Sequence, residues 1–294
     1  MALPRLIFIT GKGGTGKSTL AAALALALAR RRPTVLADLE GRFSAARILG
    51  ARLDNGGPTQ AGKNLEAIGL SPRAELEAFI ERIVPLKAIS RRMLRSHTFG
   101  YVTAALPGLE AFLMLERLRA MAGESALEDR YVVIDAPATG SALELLSVAG
   151  AIQEIAPSGT LNRLAAGVGS FLTDPDRFGV AITLTPEELA TREAIEAAHV
   201  LSGKLGINRI VALLSGVAEP LFDAAELVQL APLEHHARLA HRRVASADAA
   251  ARARREMAGA GLRTVEIPML FEPALSKALV LEVSRRLEEA LLDR

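Results

Sequence analysis

Nine residues near the start of the chain have types and spacing suited to one kind of chemistry. Gly11-Lys12-Gly13-Gly14-Thr15-Gly16-Lys17-Ser18-Thr19 satisfies the pattern G-x-x-x-x-G-K-[S/T] at Gly11, Gly16, Lys17 and Ser18. The glycines free the backbone to wrap an anion, so that main-chain N–H groups face phosphate oxygens. In such a loop Lys17 reaches the β- and γ-phosphates of a nucleotide, and the Ser18 hydroxyl ligates Mg²⁺. This chemistry needs particular elements on either side. Arg5-Leu6-Ile7-Phe8-Ile9-Thr10 reads as a short buried strand, and Thr19 to Arg30 is an unbroken run of good helix formers. A phosphate then sits at a helix N-terminus, where the dipole and free N–H groups favour an anion. The plain alternative is a glycine-rich turn between strand and helix, which does not require both lysines.

Two of the chain's six lysines fall in this loop. With Lys12 directly after Gly11, the loop resembles that of the deviant Walker-A ATPases, in which the early lysine reaches the nucleotide of the facing subunit. The whole stretch is similar to that of the arsenite-pump and tail-anchored-protein-targeting ATPases, the anion-transporting ATPase family. The resemblance implies bound ATP or ADP with Mg²⁺ and a dimer closed around nucleotide, with residues 11–19 as the binding loop. Lys12 as an exposed loop lysine is the alternative.

Further segments follow in the order this resemblance expects. Tyr131-Val132-Val133-Ile134-Asp135 is an apolar strand ending in a carboxylate, a Walker-B pattern whose Asp135 would hold the Mg²⁺ shell through water. Ala136-Pro137-Ala138-Thr139-Gly140 resembles the family's switch II, a loop able to sense the γ-phosphate because Gly140 reorganises cheaply. Thr34 to Glu40 reads as a strand, and chemistry gathers at the carboxyl ends of strands in doubly wound sheets. Asp38 and Glu40 lie there, two apart and so on one face. Laid on the family's switch I, Glu40 takes the place of the aspartate that positions the attacking water, and is one methylene longer. Asp38 is the other candidate, and both as solvated strand-end residues is the third reading. The resemblance places Ser215, where the family has asparagine, and Pro268 beside the adenine. The family's Cys-x-x-Cys zinc clasp and the longer client-binding insert of its eukaryotic members are both missing.

Gly179 to Leu184, Ile207 to Leu214, and Arg263 to Leu270 read as further strands, and Asn64 to Leu70 as another. Residues 51 to 63 read as a loop. Thr185-Pro186-Glu187-Glu188 reads as a capping box with proline in the first helical position. Helices are expected from Ser71-Pro72 to Val84, from Pro107-Gly108 onward, at 141–155 and 160–172, over much of 219–260, and at 274–294. Strands alternating with helices from end to end predict an α/β, P-loop NTPase architecture: a mostly parallel central sheet with helices on both faces. We read residues 1–294 as one domain, with helical segments 71–125 and 141–173 as a candidate interface subdomain. The helix near 108–121 is apolar nearly all round, which suits either core or a partner surface.

Composition narrows the classes. The formal net charge of +2 is too small to point to nucleic acid, and Arg242, Arg243, Arg252, Arg254 and Arg255 interleave with acidic residues. Cysteine is absent, which excludes disulfides, thiolate zinc, cysteine-held iron–sulfur clusters and thiol sensing of arsenite. His235, His236 and His241 lack the i, i+4 spacing of a helical metal site. No apolar run is long enough to span a membrane and no leader pattern precedes the first strand, so a cytoplasmic protein is expected. The functional expectation is a Mg²⁺-dependent ATPase that dimerises with itself or a close paralogue and acts on an unidentified protein. The alternatives are a scaffold subunit that binds ATP and hydrolyses it weakly, and a partition-type ATPase on DNA.

Overall fold

The computed structural model describes residues 3–39, 44–53, 57–83, 108–123, 130–270 and 276–292. Eight strands form one sheet in the order β3-β4-β2-β5-β1-β6-β7-β8. They are β1 (Leu6–Gly11), β2 (Thr34–Asp38), β3 (Thr59–Gly62), β4 (Leu65–Gly69), β5 (Tyr131–Asp135), β6 (Phe178–Leu184), β7 (Ile210–Val217) and β8 (Thr264–Pro268). Every pairing is parallel except that of β3 with β4. That edge hairpin corrects the sequence reading of residues 51–63 as loop. Its two strands turn through Lys63-Asn64, and Asn64 sits at φ +56°, a left-handed conformation that asparagine tolerates. The polar strand Thr59-Gln60-Ala61-Gly62 lacks the apolar alternation that marks a strand, so only pairing with β4 reveals it.

The helices are α1 (Lys17–Ala29), α2 (Ser44–Ile48), α3 (Pro72–Ile83), α4 (Leu109–Met121), α5 (Thr139–Ile155), α6 (Gly159–Thr173), α7 (Glu188–Gly203), α8 (Ala224–Leu230), α9 (Glu234–Gly259) and α10 (Lys277–Leu291). Alternation along β1 divides the core in two. Leu6 and Phe8 face the layer that contains α3 to α7 and α9, whereas Ile7 and Ile9 face α1, α2 and α10. α1 is buried almost all round because its small side chains, Leu20-Ala21-Ala22-Ala23-Leu24-Ala25, let sheet and α10 close in on it together. On the opposite face Phe8, Phe171 and Phe178 stack edge to face and tilted, with centroids 5.6 and 6.1 Å apart.

Helix α4 is core. Leu109, Phe112, Leu113, Met114, Leu115 and Leu118 are buried against α3, α5 and α6, so this stretch presents no apolar partner surface. The expected capping box at Thr185 does not form. α7 begins at Glu188 with Glu187 as its N-cap and no side-chain cap bond, and Pro186 lies in the preceding bend. β7 also runs further than expected, through Ser215 and Gly216 to Val217, with a register shift against β8 at Ser215/Val217. The terminal helix buries Val280, Val283, Leu287 and Leu291, chiefly on α1.

The connection α1 leads from β1 past β5 to β2, while α5 and α6 lead from β5 past β1 to β6. These crossovers run in opposite directions on opposite faces, which opens a crevice at the carboxyl ends of β1 and β5.

α9 is fastened to edge strand β8 by Arg254, whose guanidinium donates to both Glu266 oxygens at 2.5 and 2.7 Å. Hydrogen bonding to Arg254 holds the Glu266 carboxyl below its ordinary pKa. A depressed carboxylate contributes stability above its unfolded pKa and loses it as pH falls through the folded value. Both side chains are more than a third exposed, so Arg254→Ala is expected to lower the unfolding free energy by only about 0.5 kcal/mol at pH 7. Urea melts at descending pH check this: the difference from wild type should vanish in acid, and a difference that persists there would assign Arg254 a packing role instead.

Candidate nucleotide site

Residues 11–19 leave the end of β1 and enter α1 at the mouth of that crevice. β1 ends at Gly11, whose φ is +148°. A Cβ at Gly11 would lie 2.1 Å from the Thr183 carbonyl oxygen of β6, so this glycine is needed for close approach to the neighbouring strand. Lys12 to Thr15 then form a tight turn. Thr15 N–H and Thr15 Oγ1 both donate to the Lys12 carbonyl, at 3.4 and 2.8 Å, and Gly14 at φ +87° supplies the positive φ of the turn's third residue. Gly16, at φ +89°, is the N-cap of α1. No atom lies within 4 Å of a Cβ built on Gly13, Gly14 or Gly16, so the loop borders open space.

The first intrahelical bond of α1 runs from Leu20 N–H to Gly16 O at 2.9 Å. The preceding amide donors have no intrahelical acceptor, and the first turn carries no acidic residue. Lys17, Ser18 and Thr19 lie in that turn, half-buried. An open cradle of glycines, a helix N-terminus and an adjacent lysine together fit a polyphosphate.

Asp135 ends β5 directly beside the loop, in register with Ile9 of β1 and Asp38 of β2. Both aspartates are buried, at 5 % and 2 % exposure. The ends of these strands are bound together: Ala136 N–H donates to Ile9 O at 3.0 Å and Leu39 N–H to Asp135 O at 3.2 Å. Thr10 Oγ1 donates to the Pro137 carbonyl at 2.8 Å, which ties the loop after β5 to the end of β1. Of the two carboxylates expected near this point, Asp38 is in the crevice, and Glu40 lies outside the described residues. No group of three His, Cys, Asp or Glu side chains suited to a metal occurs among the described residues. The donors present, one serine hydroxyl and buried carboxylates, suit a Mg²⁺ completed by phosphate oxygens and water.

Other expected site residues sit differently. Gly140 is in the first turn of α5 without a positive φ, so the loop after β5 is Ala136-Pro137-Ala138 alone. Ser215 lies within β7 and its hydroxyl is taken up by backbone: Oγ is 3.0 Å from Thr15 O and 3.2 Å from Leu184 O. Pro268 ends β8 at the same end of the sheet, three strands from β1, or about 14 Å at the usual strand spacing. His235, His236 and His241 are exposed on α9.

Three partners escaped the sequence reading. Glu193 on α7 takes the Lys12 amine, with Nζ 3.1 Å from Oε1, and nothing local signals a pairing across 181 residues. Thr183 shares a 2.6 Å hydrogen bond with Thr15 Oγ1, and Thr10 makes the bond to Pro137. The one hydroxyl in the otherwise apolar strand Gly179–Leu184 was the available sign.

Comparison with known proteins gives the same direction. Residues 4–158, more than half of the chain, match the model of the anion-transporting ATPases. The chain belongs to this family. It is 29% identical to ATPase BagA of Mycobacterium tuberculosis over 222 residues, which is 70% of this chain and 65% of BagA. It is 30% identical over 210 residues to an arsenical pump-driving ATPase of Escherichia coli, covering 67% of this chain and 32% of that protein. The chain thus spans less than two thirds of BagA and about a third of the pump-driving ATPase. No described helix is long and apolar enough to cross a membrane.

The two kinds of glycine in the loop separate by stability. Gly11→Ala meets backbone at a positive φ and is expected to cost about 2–4 kcal/mol. Gly13→Ala meets nothing at an ordinary φ and should stay within about 0.5 kcal/mol. Urea unfolding of both variants without nucleotide checks this, and equal costs would contradict the packing assigned to Gly11.

Proposed function

We propose that this chain is a Mg²⁺-dependent ATPase that works as a nucleotide-gated dimer, its cycle coupled to a protein partner. The observation that carries the reading is the open Gly11–Thr19 loop at the head of α1, with Asp135 in register beside it at the end of β5. Gly13 to Gly16 and the first turn of α1 would surround the β- and γ-phosphates, and Lys17 would neutralise them. Ser18 and Asp135 would hold Mg²⁺, which supplies charge neutralisation on the transferring phosphoryl group. Asp38, or Glu40 two residues on, would orient the attacking water. Most of the rate enhancement would come from fixed charges and donors that are already in position.

Lys12 has a separate part in this reading. Its amine rests on Glu193, and the two side chains are 36% and 38% exposed. A lysine held at the surface in this way is within reach of a second subunit, which supports its use across a dimer interface. The partner subunit is a second copy or a paralogue, and Pro268 borders the base.

ATP turnover measured against protein concentration tests the proposal. Specific activity should rise with concentration, because each site needs the lysine of another chain. Lys17→Ala and Lys12→Ala should each lower turnover by ~10²–10³, the cost of losing one donor to a developing charge. Appreciable activity that is flat with concentration, and unharmed in Lys12→Ala, would refute the cross-subunit arrangement.

A further inference from the structure

The glycine cradle carries no side chain with which to hold its own shape, and the structure shows where its rigidity originates. Thr15, at 3% exposure, is the single side-chain anchor between Gly13 and Gly16, and its hydroxyl has one proton. That proton goes to the Lys12 carbonyl, 2.8 Å away, in the bond that closes the turn. The 2.6 Å contact between Thr15 Oγ1 and Thr183 Oγ1 therefore has Thr183 as its donor. Thr183 is 1% exposed and its strand neighbours Ile182 and Leu184 are apolar, so no water competes for that bond. A second hydroxyl acts on the same residue. Ser215 Oγ donates its one proton to Thr15 O at 3.0 Å or to Leu184 O at 3.2 Å. Thr15 is thus gripped at its side chain from β6, and its carbonyl lies within hydrogen-bond reach of the Ser215 hydroxyl on β7.

We propose that Thr183 and Ser215 are positioning residues for the nucleotide loop: the two hydroxyls orient Thr15, Thr15 closes the Lys12–Thr15 turn, and the turn fixes the amides that meet phosphate. Neither hydroxyl touches nucleotide in this arrangement. The proposal rests on the nucleotide-binding reading for its consequence in affinity, but the ordering of the loop is a property of the free chain.

The experiment compares Thr183→Val, Thr183→Ser and Ser215→Ala with wild type by hydrogen exchange of the loop amides without nucleotide, by ADP affinity and by urea melts. Valine keeps the volume and removes the proton, whereas serine keeps the proton. Thr183→Val should speed exchange at residues 12–16 and weaken ADP binding roughly fivefold to tenfold, the factor carried by one buried hydrogen bond. Ser215→Ala should move both in the same direction, and Thr183→Ser should stay close to wild type. Unchanged loop exchange in Thr183→Val overturns the proposal. So does Thr183→Ser behaving like Thr183→Val with an equal fall in urea midpoint, because that pattern reports packing. If wild type binds no nucleotide, the functional reading fails, while the exchange comparison still decides whether the hydroxyls order the loop.

Discussion

A loop that wraps a polyphosphate must turn its backbone amides toward open space, and glycine permits the positive φ angles that such wrapping needs. Glycine also leaves the loop with nothing of its own to hold it still. Most of the structure around residues 11–19 is an answer to that constraint. The loop is anchored at Gly11 by contact with the Thr183 carbonyl, at its turn by Thr15, and at its exit by the first bonds of α1. Ordering a glycine-rich segment has a large entropic cost. That cost is met by neighbours, and the neighbours must themselves be rigid. The strands on either side of β1 are buried and parallel, and their carboxyl ends are tied together by hydrogen bonds between successive chain segments.

The same argument explains why polar groups appear inside an apolar sheet. Thr10, Asp38, Asp135 and Thr183 are among the few buried polar residues, and all four lie at or near the carboxyl ends of adjacent strands. A buried hydroxyl is costly unless hydrogen-bonded, and Thr10 and Thr183 are bonded across strands. Asp38 and Asp135 bring two carboxylates into register on neighbouring strands. Like charges so placed favour a cation between or beside them. A divalent ion held by phosphates would provide one.

The legible part of the sequence was whatever repeats locally. The strand–loop–helix around residues 11–19 and the Walker-B strand with its terminal Asp135 follow from short-range pattern, and the structure has each within a residue or two. What was not legible depends on partners distant in the chain. β3 has no strand pattern and exists through β4. Thr185-Pro186-Glu187-Glu188 has the composition of a cap, yet the chain leaving β6 needs the extra residues before α7 can begin. β7 continues past Ser215 to Val217, and the Ser215 hydroxyl lies within reach of the Thr15 and Leu184 carbonyls, neither of which is near it in the sequence. Gly140 was read as a hinge because glycine is permissive, and the helix simply absorbs it.

The pairing of Lys12 with Glu193 shows how the two lysines of one loop come to differ. Lys17 begins α1, half-buried in its first turn. Lys12 precedes the tight turn, and its amine is drawn outward to α7. An exposed pair of this kind is worth at most about 1 kcal/mol, whereas a charge-assisted bond to a phosphate contributes about 1.5–3 kcal/mol. Exchange of Glu193 for a phosphate is therefore favourable whenever one comes within reach, and the lysine is not trapped. Until then the carboxylate holds a half-exposed side chain against α7. Lys12 and Lys17 lie in one loop, yet the first is held by a side chain of α7 and the second by the start of α1.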